Sequence, residues 1–313
     1  MVLIVHCKPL KKKQSHNSGR MQTTSFTFEA IGTHWQIDIP QYTTSEKRTV
    51  LLEEMLAVIE DFDKTYSRFR ADSLVTQMAK KTGKYLLPEN ARQLLSLYYE
   101  LYDLTDHMFT PLIGQTLVDA GYDAKYSLQP KALHHPPSWE EAIDFKFPNL
   151  HIKKSVLLDF GAGGKGYLID LVTKVLQKHK IAYFCVDAGG DMFFHNNQPD
   201  RLRVGLENPD NSSQVIGVAE ILNQSICASA GNRRKWKGFH HIINPSTLSS
   251  PVHVKATWVI ADTALLADAL ATCLFFVPAE KLLTKYKFSY ALLDENNGLE
   301  KSPDFPAEMF VET

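Results

Sequence analysis

The chain has 313 residues, 44% of them hydrophobic, a formal net charge of −1 and four cysteines. That length and apolar content suffice to bury a substantial core, as one large domain or two modest ones. The near-neutral balance excludes a global field that would draw the chain to nucleic acid or anionic lipid. Cys7, Cys185, Cys227 and Cys273 are scattered, with no C-x-x-C pair and no zinc spacing.

Residues 1–21 read as a disordered basic lead and 22–313 as a single folded domain. The opening MVLIVHC is followed by three lysines, whereas a secretory signal places its charge before a longer apolar run. No stretch is long enough to cross a membrane. A cytoplasmic location is therefore favoured, with periplasmic or membrane-anchored placement left open.

Residues 26–40, FTFEAIGTHWQIDIP, alternate on either side of Ala30-Ile31-Gly32-Thr33, which predicts paired strands. The spacing over 46–62 predicts a helix with Leu52, Met55, Leu56, Ile59 and Phe62 as its buried stripe. Ser67-Arg68-Phe69 follows, and an arginine beside a hydroxyl and an aromatic can hold a phosphate, stack on a planar ring or simply form a salt bridge. A second helix is expected from Pro88-Glu89-Asn90 through Leu104. Residues 124–150, with four prolines, read as a loop or insert.

The central stretch is 156–191. An apolar run (Val156, Leu157, Leu158) leads as an expected strand into Gly161-Ala162-Gly163-Gly164-Lys165-Gly166. A helix-period segment follows with Leu168, Leu171, Val172, Val175 and Leu176 on one face. Another apolar run ends at Asp187-Ala188-Gly189-Gly190-Asp191. Glycine loops let a backbone approach a ligand and aim N–H groups at it, which suits a phosphate at a helix N-terminus. The Walker pattern fails, because Asp159 stands at its first glycine and Gly166 where Ser or Thr should follow the lysine. The dinucleotide fingerprint fits Gly161, Gly163 and Gly166, with Asp187 about 20 residues on where a ribose-binding acid belongs. A Rossmann-type NAD(P) or FAD oxidoreductase is thus one reading.

Further strands are expected over 203–209 and 215–226. Residues 229–234 form a small-residue turn with two cations. Residues 238–245, GFHHIINP, read as a strand with His240 and His241 on opposite faces, His241 being either a polar strand residue or an acid/base group. Residues 254–260 are a strand, and Asp262 or Thr263 can cap the helix that follows. That helix is apolar nearly all round, yet carries Asp268 and Thr272, stacked on one face by their i, i+4 spacing. A carboxylate in so apolar a helix is costly without a positive partner. A Mg²⁺ held by carboxylate, hydroxyl and carbonyl oxygens explains the pair; a bond to a backbone amide across a helix interface explains it equally.

Together these features resemble the FAD:protein FMN transferases, the ApbE-type flavin transferases. Ala30-Ile31-Gly32-Thr33 is similar to the family's A-M-G-T, and residues 159–170 to its D-x-G-G-I-A-K-G-Y-x-x-D. Residues 186–191 match N-A-G-G-D, 267–272 match A-D-A-L-A-T, and 241–245 match H-I-I-D-P. The resemblance implies an α+β fold, a single domain of antiparallel β-sheet packed with helices (ApbE-like, T-fold-like). It implies Mg²⁺-dependent transfer of FMN from FAD to a Thr/Ser hydroxyl of an acceptor protein, releasing AMP. By position it assigns the metal to Ala162, Asp268 and Thr272, and flavin-nucleotide contacts to Ile31, Ser67, Arg68, Phe69, Asp159, Lys165 and His241. His241 and Asp268 are then the catalytic candidates. Departures fall at Thr110, where the family's F-D-P-T has aspartate, at Asn244, and at Ala228-Ser229-Ala230 in place of T-S-G. An FAD-binding or FAD-hydrolysing protein without protein transfer is the remaining alternative. No nucleic-acid partner and no transmembrane segment are expected.

Overall fold

The computed structural model describes residues 4–6, 23–41, 43–232 and 234–310. Its spine is an eight-stranded sheet in the order Leu299–Lys301, Ser289–Asp294, Val254–Ala261, Gln224–Ala230, Asp191–Asn196, Tyr183–Ala188, Thr33–Ile39, Thr24–Ala30. Every neighbouring pair is antiparallel. The expected α+β architecture is therefore present, and the Rossmann reading is not. The apolar run 156–158 is irregular backbone, and Tyr183–Ala188 pairs antiparallel on both sides. Among the described residues no parallel βαβ unit exists for the fingerprint to serve.

The central strands Val254–Ala261, Asp191–Asn196 and Tyr183–Ala188 are buried on both faces and read as near-continuous apolar runs, whereas Thr24–Ala30 and Thr33–Ile39 alternate. In Val254–Ala261, Ala256, Trp258 and Ile260 face one core, while Val259 and Ala261 face the other. The first core is closed by a second sheet, in the order Ile4–His6, Leu202–Asn208, Asn211–Ile221, Ala307–Met309. Ile4–His6 lies within the stretch expected to be a disordered lead; Met1 to Leu3 and residues 7–22 lie outside the described residues. The other core is closed by helices Ser45–Tyr66, Ala91–Leu104, Gly164–Lys178 and Ala264–Cys273. The last two are called below the turn helix and the acid helix.

The Ser45–Tyr66 helix buries Leu51, Met55, Ile59, Phe62 and Tyr66. Met55, Ile59 and Phe62 are buried as expected, but Leu56 is exposed and Leu52 only half-buried, and Leu51 and Tyr66 complete the stripe instead. The 124–150 stretch is not all loop. It contributes a capped turn at Trp139–Ala142 and the strand Ile143–Lys146, which pairs with Asn149–Ile152, itself paired with Gly83–Leu86, in a small sheet. The expected 238–245 strand shrinks to Phe239–His240, paired with Lys235–Trp236.

Candidate functional site

Two helices cross where the glycines are densest. A Cβ on Gly166 would lie 2.1 Å from the Ala264 carbonyl oxygen and 2.7 Å from Asp268 Cβ. Gly163 lies against Ala269 of the same helix. Gly166 is required by backbone approach between the turn helix and the acid helix, a use the dinucleotide fingerprint assigns to a ligand. The crossing is bonded as well as packed. Asp268 Oδ2 accepts the Gly166 N–H at 2.8 Å. Asp170, one and a half turns along the turn helix, accepts the Ala264 and Leu265 N–H groups at 2.8 and 2.9 Å, capping the acid helix from outside. Thr263 caps it from within, accepting the Leu266 N–H. Burial raises the Asp170 carboxyl to about 6, against the pull of those two N–H groups. The role of Asp170 went unread, because nothing local marks an acid that caps a distant helix.

Above this crossing opens a cavity of about 590 Å³, within the range of small-molecule sites. Ile31, Ser67, Arg68, Phe69, Asp159, Ala162, Lys165, His241, Asp268 and Thr272 all line it, so every site residue expected from the sequence converges here. The cavity also takes in Tyr122, Tyr126, Asp191, Ser229 and Arg234, which were not singled out as site residues. Asp191 was legible as the last residue of its glycine turn. Tyr122, Tyr126 and Arg234 come from loops, and Ser229 from the strand Gln224–Ala230.

The floor is a charge cluster. Lys165 pairs with Asp191, and Asp191 Oδ1 accepts the Ala228 N–H at 3.0 Å. Asp268 and Thr272 are both buried, and Thr272 Oγ1 lies 3.4 Å from Ser229 Oγ. Burial and then the Asp191 charge push the Asp268 carboxyl well above the usual carboxylate range, with Lys165 pulling it back. The Lys165 charge acts on Asp268 from the other helix, although its ion pair is with Asp191. Two buried carboxylates thus share one cation.

One wall is aromatic. Arg68 Nε donates to Asp159, and Asp159 Oδ1 accepts the Gly161 N–H at 2.8 Å, tightening the glycine turn. The Arg68 guanidinium carbon sits 4.2 Å from the Phe69 ring centre and 4.9 Å from that of Tyr122. Its Nη2 is buried with no hydrogen-bond partner. Phe69 in turn stacks on Tyr126, with centroids 5.6 Å apart. Ile31, at φ +46°, starts the tight turn of the first hairpin at the rim.

His241 faces the cavity with a buried, unpartnered Nδ1. Burial, reinforced by Arg234, His240 and Lys165, depresses it to about 3, so its imidazole is neutral. His240 is held apart from it: Nε2 meets the Pro251 carbonyl at 2.9 Å and Nδ1 accepts the Ile242 N–H. Asn244 accepts the Ser246 and Thr247 N–H groups, a turn-closing role that its side-chain oxygen shares with aspartate. Asp187, the ribose acid of the Rossmann reading, accepts the Gly190 N–H of its own turn.

An antiparallel sheet carrying a cavity at a helix crossing defines an α+β protein, distinct from the doubly wound nucleotide binders. The chain belongs to the ApbE family, whose sequence profile matches residues 31–291. It is 26% identical to the FAD:protein FMN transferase of Treponema pallidum (strain Nichols), over 88% of this chain and 83% of that protein. It is 22% identical to that of Escherichia coli (strain K12), over 87% and 83%. The ApbE protein of Thermotoga maritima shares the fold at a TM-score of 0.81, 21% identity and coverage of 92% of this chain and all of that one. The flavin transferase ApbE of Vibrio cholerae does so at 0.75 and 18%, over 90% and 96%. Among the described residues no helix is long and apolar enough to cross a membrane.

Proposed function

We propose that this protein transfers the FMN half of FAD to a threonine or serine hydroxyl of an acceptor protein, with Mg²⁺, and releases AMP. The observation that carries the reading is the buried Asp191–Lys165–Asp268 cluster on the cavity floor. Its surplus negative charge calls for a further cation. The oxygen donors of Asp268, Thr272 and Ala162 are hard, as Mg²⁺ requires. Among the described residues no three His, Cys, Asp or Glu side chains form a metal cluster, which suits an ion that keeps waters and takes one or two carboxylates plus substrate phosphates. The residues therefore fit the ion. When bound, Mg²⁺ would neutralise pyrophosphate charge as a Lewis acid.

The chain's own residues supply the rest. Lys165, at the first turn of the turn helix, faces the same pyrophosphate, and that helix N-terminus favours negative charge. Arg68, clamped between Phe69 and Tyr122, offers its unpartnered Nη2 to a carbonyl or phosphate oxygen of the dinucleotide. The acceptor hydroxyl oxygen attacks the FMN phosphorus, the P–O bond to AMP breaks, and the hydroxyl proton passes to a base. His241 is that base: it is neutral with a free Nδ1, and the pyrophosphate charge entering the cavity raises its basicity.

The test is incubation with FAD, Mg²⁺ and a library of Ser/Thr peptides, read by mass spectrometry for added FMN and by chromatography for AMP. Labelled peptide with matching AMP is expected. AMP without label makes the protein an FAD hydrolase, and neither product sinks the proposal.

A further inference from the structure

The net charge of −1 hides an uneven surface. Lys235–Trp236 and Phe239–His240 form a short hairpin whose turn, Lys237-Gly238, has φ of +39° and +87°. Trp236 roots it: the indole N–H donates to the Ala120 carbonyl at 2.7 Å, and the ring packs on Tyr122 and Phe239. Both ends of the hairpin run into the cavity wall, through Arg234 on one side and His241 on the other. Lys235 and Lys237 point outward, both exposed. The facing loop adds exposed Lys125 and Lys131, and Lys237 bonds Gln129 of that loop.

Several cations elsewhere are paired: Arg70 holds Glu60, Asp63 and Asp72; Lys178 holds Glu54; Lys255 holds Asp210; Lys281 holds Asp106. Among the described residues, Lys125, Lys131, Lys235 and Lys237 have no carboxylate at ion-pair distance. The nearest acid, Asp123, spends its carboxylate on the Lys125 and Ser127 N–H groups.

We propose that this basic hairpin and loop dock an acidic segment of the acceptor polypeptide next to its target hydroxyl. The inference rests on the transferase reading, which requires a polypeptide to reach His241, and the hairpin is the element that ends there. The occupant is a peptide bearing Asp and Glu. In the proposed function Lys165 and Arg68 face the dinucleotide, and these four lysines lie outside the cavity lining. Single exposed ion pairs contribute little, but four unpaired cations around one mouth steer and hold an anionic chain in a salt-dependent way.

The test separates docking from chemistry. A fluorescent threonine peptide flanked by Asp and Glu is titrated with the full chain by anisotropy, beside its Asn/Gln counterpart and a single-stranded oligonucleotide. The acidic peptide is expected to bind at least tenfold tighter than the neutral one at low ionic strength, with the gap closing in high salt. The Lys235→Glu/Lys237→Glu double variant should lose that gap while keeping wild-type KM for FAD in acceptor-free AMP release. Equal binding of the two peptides, a gap that survives in the variant, a raised KM for FAD, or preference for the oligonucleotide would each overturn the proposal. Intact peptide discrimination without any FMN transfer would count against the transferase reading alone.

Discussion

Asp268→Asn separates a metal-holding role from a structural one. The change is nearly isosteric, and the amide oxygen can still accept the Gly166 N–H, which now lies 2.8 Å from Oδ2. What it removes is charge, at a site where burial and Asp191 already disfavour the ionised carboxyl. Because the folded-state pKa is raised, the unfolded chain gives up this proton first as pH rises. The carboxyl therefore destabilises the metal-free fold increasingly from about pH 4 upward. Exchanging a buried, partly compensated charge for a neutral group is worth on the order of 2 kcal/mol, or about 3 °C in Tm for a chain of this length. Metal-free Asp268→Asn should thus melt above metal-free wild type at pH 8, the two converging towards pH 4. Added Mg²⁺ should raise the wild-type Tm and leave the variant's unchanged, and AMP release should fall about 10²- to 10³-fold, the scale of losing a key electrostatic contact. Calorimetry in EDTA and in Mg²⁺ measures the first two effects, and a coupled AMP assay the third. A variant that is less stable than wild type in EDTA yet still stabilised by Mg²⁺ would refute the reasoning.

Gly166→Ala should destabilise by about 3 kcal/mol or more, since the new methyl meets backbone that cannot yield; urea midpoints report it, and a wild-type midpoint would remove the close-crossing argument. Asp170→Ala strands two buried N–H groups of the acid helix and should cost about 2–3 kcal/mol, with Asp170→Asn recovering part of that on the same urea curves. His241, depressed mainly by burial to about 3, is protonated in the unfolded chain near pH 6.5 but not in the fold. It should therefore cost ligand-free protein about 1.3 kcal/mol of stability between pH 7 and pH 5.5, and His241→Gln should flatten that slope in pH-dependent melts. Arg68→Met keeps the aliphatic stem between Phe69 and Tyr122 but removes the orphaned Nη2, so KM for FAD should rise about tenfold in the AMP assay, the value of one charge-assisted hydrogen bond.

The sequence was most legible where one residue type has one physical use. Alternation around Ile31-Gly32 could only be a tight hairpin. A lone acid in an otherwise apolar helix pointed to a site, and Asp268 does face the cavity with Thr272 one turn on. Legibility failed where period alone had to choose a face, as with Leu52 and Leu56, and where short strands gain their partners from afar, as between 143 and 152. It failed differently at the glycine loop. Gly161, Gly163 and Gly166 satisfy a dinucleotide fingerprint by spacing, but spacing does not say whether a missing side chain admits a phosphate or a second helix. Gly166 admits a helix. Only the antiparallel pairing of Tyr183–Ala188, which no local pattern encodes, separates the two outcomes.

That substitution of uses explains how the site is held. In a parallel nucleotide binder the glycine loop grips the ligand and the sheet positions the loop. Here Gly166 lets the acid helix come close enough for Asp268 to bond the turn helix, and Asp170 returns the contact by capping the acid helix. The two carboxylates lock one crossing from opposite sides. Since Lys165 and Ala162 flank Gly163 and Gly164 at the start of the same turn helix, any shift at the crossing moves the lysine and the turn carbonyl together with Asp268. The oxygen donors and the lysine facing the cavity are thus parts of one rigid joint. A mutation that loosens the joint, such as Asp170→Ala, should lower turnover as well as stability, although Asp170 touches neither metal nor flavin.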